Sequence, residues 1–323
     1  DQDTSPTGLA FNNDGTKMFV VGLDEQDVNE YACTTGFDVS TCVVDAGDPF
    51  SVAAQDTSPR GLAFNTDGTK MFVVGSAGDD VNEYDCAAFD VDTCVFVDAF
   101  DVSVQEGSPR GLAFNNDGTK MFVTGASGDD VNEYACETFD VSTCVVDAGD
   151  PFSVAAQETF PESLAFNNVG TKMFVVGSDG DNVYEYACTT GFDVSTCVVD
   201  GAAPFSVADQ EQNPTGLAFN NDGTKMFVLG NAGDDVNEYT LSVGFDLNTA
   251  TSADCYDCTP PVLQNAHITI SSNDYVVATG DDIIHITANV GDTVTVLLNI
   301  TDDKPVDTIP FAALYTNYQE KPS

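Results

Sequence analysis

The chain has 323 residues, 42 % of them hydrophobic, and nine basic residues stand against 53 acidic ones for a formal charge of −44. Such a composition belongs to a folded protein with room for one large domain and a smaller one, and the charge excludes nucleic acid and anionic membrane as partners. No apolar run approaches the roughly 20 residues of a membrane span, so no membrane insertion is expected within this chain, and so one-sided a charge favours a saline or cation-rich medium that screens its self-repulsion.

Asp1 opens the chain inside a repeat without a secretory leader, since Gln2-Asp3-Thr4 lines up with Gln55-Asp56-Thr57, and upstream residues are expected in a parent protein. The repeat itself reads Leu-Ala-Phe, an Asn-rich turn, then Gly-Thr-Lys-Met-Phe, with its first phenylalanine at Phe11, Phe64, Phe114, Phe166 and Phe219. The spacings of 53, 50, 52 and 53 match one four-stranded propeller blade per repeat. In the second repeat Arg60 to Asn65 predicts a first strand, Asn65-Thr66-Asp67-Gly68 a hairpin turn, Lys70 to Gly75 a second strand, Val81 to Cys86 a third and Phe100 to Val104 a fourth. A sheet of this kind cannot bury both faces alone, so the blades must stack around an axis.

Pro59, Gly61, Asp67, Gly68, Phe72, Val73, Asp80 and Val81 follow a Pro-x-Gly, Asp-Gly, aromatic-Val, Asp-x-Val progression that resembles the YVTN and lactonase-like β-propellers. Archaeal surface-layer proteins of this repeat type, joined to immunoglobulin-like modules, give the family picture the resemblance implies. Lactonase-like catalytic residues have no matching positions. The expected architecture is all-β: propeller repeats over 1–250, a linker over 251–261 and a partial immunoglobulin-like sandwich over 262–323. After Phe245-Asp246-Leu247 no Pro-Phe-Ser-Val segment follows, so the last blade is expected to lack its fourth strand and to borrow one.

Cysteines fall in pairs around a Phe-Asp-Val segment: Cys33 and Cys42, Cys86 and Cys94, Cys136 and Cys144, Cys188 and Cys197. In the fifth repeat Leu241 and Ala250 replace both members together, which is what disulfides predict. Oxidised pairs imply an extracellular compartment; the alternative, a metal clamp of two cysteines per blade, lacks further ligands. Cys255 and Cys258 form a separate CxxC, read as a local disulfide, with zinc as the other option.

Beyond Thr259-Pro260-Pro261, strands are expected at His267 to Ile270, Tyr275 to Ala278, Ile283 to Ala288 and Val294 to Ile300. Asn299-Ile300-Thr301 is an N-glycosylation sequon.

No histidine occurs in the repeats, and no serine or threonine has a base in its own repeat, so no catalytic residue is assigned. The acidic turns before each third strand are the better candidates: Asp24 to Asp27, with Asp27 as ligand, then Asp79 and Asp80, Asp129 and Asp130, Asp181, and Asp234 and Asp235. They are expected to share one face with Asp3, Asp56, Glu106, Glu158 and Glu211, a carboxylate array suited to calcium; ordinary turn chemistry is the competing explanation. The recurring Lys-Met step and the neighbouring Glu30, Glu83, Glu133, Glu185 and Glu238 predict exposed cross-strand ion pairs. The expected function is a non-catalytic cell-surface module for adhesion or envelope assembly, with a surface glycan, a protein or copies of itself as partner. The alternative is a lactonase-like hydrolase using a metal in the propeller channel.

Overall fold

In a computed structural model the described residues are 3–45, 47, 49–147, 151–201, 203–255, 262–270, 273–278 and 294–301, with the backbone course alone from 252 onward. The first 256 residues form one unit and residues from 257 another. The first is a five-bladed β-propeller. In blade one, β1 (Pro6–Phe11), β2 (Lys17–Gly22), β3 (Asp27–Cys33) and β4 (Cys42–Val44) pair antiparallel in sequence order, and β5 (Phe50–Ser51) pairs with the start of β3. Blades three and four repeat this plan, and blades two and five have four strands with a single longer outer strand.

Local chemistry sets each hairpin. Asp14 Oδ1 accepts from the backbone N–H and the hydroxyl of Thr16, Asn12 Oδ1 accepts from Lys17 N, and Gly15 turns the chain at φ +70°. A Cβ on Gly15 would stand 2.4 Å from the Phe37 ring, so glycine serves packing as well as φ. The strand that follows alternates between two cores: Phe19 and Val21 join blade two, while Met18 and Val20 join blade five. Burial on both faces is why it reads Met-Phe-Val-Val without polar interruption.

Blade contacts close into a ring. Leu9, Met18, Val20, Cys33, Val39 and Cys42 share one core with Phe227, Leu229 and Val236 of blade five. At the turn end of the axis a belt of hydrogen bonds runs from Asn13 Nδ2 to Thr66 O, Thr66 Oγ1 to Asn116 O, Asn116 Nδ2 to Asn168 O, Asn168 Nδ2 to Asn221 O, and Asn221 Nδ2 back to Asn13 O.

The Lys–Glu pairs form in all five blades, but they are not surface decoration. The glutamates are 3–9 % exposed, and each accepts a backbone N–H from the next blade: Val91 on Glu30, Val194 on Glu133, Leu247 on Glu185 and Val39 on Glu238 from a short 3-10 turn, and Val141 on Glu83 from the strand Asp140–Val146 that takes that place in blade three. Four of the lysines also donate to the carbonyl of a phenylalanine in that same turn region, Phe89, Phe192, Phe245 or Phe37. These phenylalanines hold positive φ, which presents their carbonyls outward to the lysine. The cross-strand pairs thus form within each blade as expected, while their expected exposure is corrected: they are half-buried, and the glutamate also clamps the next blade.

The four expected disulfides, Cys33–Cys42, Cys86–Cys94, Cys136–Cys144 and Cys188–Cys197, are present. In blade five Leu241 pairs with Ala250 in the register that Cys33 and Cys42 occupy, and both pack into the core. Two expectations fail here. Blade two's outer strand is Val95–Asp101, beginning directly after the second cysteine and not at Phe100. Blade five has its own fourth strand, Ala250–Cys255, paired to Asp235–Leu241, so the borrowing argument is refuted and the propeller runs into the stretch assigned to the linker. The reason is the same in both: the outer strand pairs along one edge only, so its backbone ladder does not depend on a Pro-Phe-Ser-Val sequence.

The second unit shows a three-stranded antiparallel sheet with Val262–Ile270 between Asn273–Ala278 and Val294–Thr301. Asn299 lies on the last strand opposite Asn265. The strand expected at Ile283 to Ala288, residue Cys258 and the side chain of Cys255 lie outside the described residues, and with them the CxxC disulfide and the immunoglobulin-like reading.

Candidate functional site

The link and turn carboxylates do share one face, opposite the amide belt. The link carboxylates are nearly inaccessible and are spent on the backbone: Asp56 accepts from Ser58 N and Gly78 N, Glu106 from Ser108, Ser127 and Gly128 N, and Glu211 from Asn213, Ala232 and Gly233 N. Each pins the turn before the third strand to the chain entering its own blade. Within those turns Asp79, Asp129, Asp181 and Asp234 adopt φ near +50°, a conformation aspartate tolerates better than most residues. Asp27, Asp80, Asp130 and Asp235 start the third strand and accept from Asn29, Asn82, Asn132 and Asn237 two residues on. Oδ1 of Asp79, Asp181 and Asp234 is buried without a hydrogen-bond partner. Among the described residues, no three His, Cys, Asp or Glu side chains gather closely enough to hold a metal ion.

Burial pushes the carboxyl pKa values of Asp27, Asp80, Glu158 and Glu211 upward, and burial together with the charge of Glu106 takes Asp130 to about 6. A raised carboxyl pKa means that the folded state holds the proton more tightly than the unfolded chain, so stability falls as pH rises from about 4 to about 6 and is level above. The exposed turn residues Asp14, Asp67, Asp117 and Asp222 are lowered by threonine hydrogen bonds, and their contribution is lost only as pH falls below the ordinary carboxylate value. The urea midpoint at fixed ionic strength is therefore expected to be higher at about pH 5 than at about pH 7.5; a midpoint that rises over that interval contradicts the assignment.

One ring of side chains breaks the repeat. The first strand of every blade has a register shift directly after its proline, and the residue at the shift is Thr7, Arg60, Arg110, Glu162 or Thr215. The first strands surround the axis and approach so closely that a Cβ on Gly61 would meet Arg110 O at 2.5 Å. The shift re-aims these side chains, and those of Thr7, Arg110, Glu162 and Thr215 meet the adjacent first strand. Thr7 Oγ1 donates to Pro59 O and Thr215 Oγ1 to Pro6 O, at 3.0 and 2.9 Å. Arg110 Nη1 contacts both oxygens of Glu162, at 2.7 and 2.8 Å, and its guanidinium carbon lies 5.9 Å from the centre of the Phe160 ring. Arg60 reaches Ser76 Oγ through Nε at 3.4 Å, and burial and the nearby Arg110 charge lower its pKa.

Sequence reasoning passed over this ring. The signal was available: the chain's two arginines occupy the same place in the second and third repeats, and a glutamate takes it in the fourth. The metal candidates, by contrast, are distributed one blade at a time around the acidic face.

Neither a scan against protein-family models nor a search of curated proteins finds a match to this chain. Similar solved structures include a nidogen/laminin complex (15 % identity, 78 % of this chain and 79 % of that one, TM-score 0.49). A protein of unknown function from Desulfotomaculum acetoxidans (14 %, 86 % and 76 %, 0.46) and the periplasmic gluconolactonase of Pseudomonas aeruginosa (18 %, 77 % and 69 %, 0.43) are also similar. All lie below a TM-score of 0.5, and the fold described above rests on this chain's own strand pairing and ring closure.

Proposed function

We propose that the chain is a non-catalytic binding module of an extracellular surface protein of the archaeal surface-layer type, a braced disc that recognises a glycan or protein partner or takes part in envelope assembly. The observation that carries this reading is how the repeated polar groups are used. Link carboxylates hold backbone N–H groups, the clamp glutamates hold the next blade, and the turn aspartates set backbone conformation. Chemistry that recurs five times is thereby committed to the scaffold. The repeats contain no histidine to move a proton, and Glu162, the one acid of the axial ring, is engaged on both oxygens by Arg110.

Four disulfides support the extracellular part, because such bonds persist in oxidising compartments. No helix among the described residues is long and apolar enough to cross a membrane. The competing reading, a hydrolase with a metal in the channel, is tested by incubating purified protein with a panel of aldonolactones. No turnover above buffer is expected, and metal-dependent turnover would overturn the binding-module reading. Calcium is proposed for the acidic face only as a loosely held counter-ion, drawn by the unpartnered oxygens of Asp79, Asp181 and Asp234, which stand in three separate blades and do not make up one coordination shell. Chelator at constant ionic strength is then expected to lower the melting temperature, and an unchanged value removes calcium from the proposal.

A further inference from the structure

The described residues of the propeller include seven cationic side chains. All five lysines are held by glutamates, and Arg110 is held by Glu162. Arg60 alone has no carboxylate within ion-pair distance among the described residues, in a chain that carries 53 acidic residues. Asp56 and Glu162 lie near enough to favour its charge, but Asp56 is occupied by Ser58 N and Gly78 N, and Glu162 by Arg110. The two terminal nitrogens of Arg60 are left uncommitted, half-buried at the axial mouth on the acidic face. Beside them stand the linked hydroxyls of Ser58 and Ser76 and the second guanidinium, whose Nε is itself buried without a partner.

Holding two like charges together in a half-buried ring is costly. The surroundings lower the Arg60 pKa through burial and Arg110, so nothing in the scaffold explains an arginine here where blades one and five manage with threonine. We propose that Arg60, next to Arg110, forms a binding site for the carboxylate of an acidic ligand, of the uronic-acid class, at the axial mouth. Arg110 shows that this ring accepts a carboxylate on a guanidinium: its Nη1 meets both oxygens of Glu162. The serine hydroxyls supply donors and acceptors for neighbouring ligand hydroxyls, and the half-exposed Phe160 ring, 47 % accessible, offers an apolar wall on the same rim. The surrounding carboxylates would reject polyanions, which selects a ligand bearing a single acid group. The site rests on the binding-module reading and names its ligand class.

The test uses the whole chain and sodium glucuronate, with glucose as the neutral control, followed by calorimetry at constant ionic strength. The variant is Arg60→Thr, the residue that blades one and five carry at this position in folded surroundings. Saturable binding of glucuronate, none of glucose, and a loss of about tenfold or more in R60T are expected, as removal of a charge-assisted bidentate contact requires. Equal glucuronate affinity in R60T, or no glucuronate binding by the parent chain, overturns the site. A Glu162→Gln variant, which releases Arg110, is expected to bind glucuronate at least as tightly as the parent; weaker binding would make Glu162 part of the recognition and overturn the assignment to the arginines. Lactone turnover that is equal in parent and R60T would sink the non-catalytic reading and leave the carboxylate site standing, so the two failures are distinguishable.

Discussion

Full reduction is expected to unfold the propeller at ambient temperature or bring it close to doing so. Each disulfide closes a loop of sequence separation eight or nine, and constraining such a loop in the unfolded chain contributes roughly 2–3 kcal/mol. Four together approach about 10 kcal/mol, which is the scale of a whole domain's stability. The bonds join the third strand of a blade to its outer strand, so reduction acts first at the rim and unfolding spreads inward from there. Blade five supplies the internal control. A double change Cys136→Leu with Cys144→Ala, copying Leu241 and Ala250, is expected to cost less than Cys136→Ala with Cys144→Ala, because leucine refills the core space next to the strand. Denaturation midpoints measured with and without reductant decide the matter, and an unchanged midpoint in reductant would show that the rim needs no covalent brace.

Glu133→Ala is the single substitution expected to cost most among the clamps, about 3 kcal/mol in denaturant unfolding with unchanged slope. It removes the ion partner of Lys120 and leaves Val194 N, which donates to Glu133 Oε2 at 2.9 Å, without its acceptor. Val194 is fully buried, so no water replaces the carboxylate there. Burial already raises the Glu133 pKa in spite of the lysine, so the reciprocal variant Lys120→Met should leave a carboxyl that takes up a proton on mild acidification. Its stability deficit is expected to shrink as pH falls. Glu133→Gln keeps an acceptor for Val194 and should lose about half as much. A loss under about 0.5 kcal/mol for the alanine variant would return the pair to the class of exposed surface bridges.

The sequence was readable where the responsible chemistry is local. Asn12-Asn13-Asp14-Gly15 specifies its own hairpin, the Met-Phe-Val-Val run announces a strand buried on both faces, and the joint replacement of two cysteines by Leu241 and Ala250 points to a bond between them. It was opaque where the partner lies in another blade. Glu30 gives no hint that it receives Val91 N from 61 residues away, and nothing near Glu106 reveals that its carboxylate turns onto Ser127 and Gly128. The missing strand of blade five was a similar error, because a motif was sought where an outer edge needs only a ladder of backbone bonds. The axial ring was missed because its register shift after the proline exists only once first and second strands pair.

The amide belt has a bearing on how the molecule breathes. In an open stack of repeats the terminal unit touches one neighbour and frays first. Here Asn221 binds Asn13 as Asn116 binds Asn168, so every blade is gripped on two sides and none is an end. Releasing one blade must break two interfaces at once, which raises the free energy of partial opening towards that of complete unfolding. Amide hydrogens in the five second strands should then exchange with a single common protection level, in place of a gradient running from the first blade to the last.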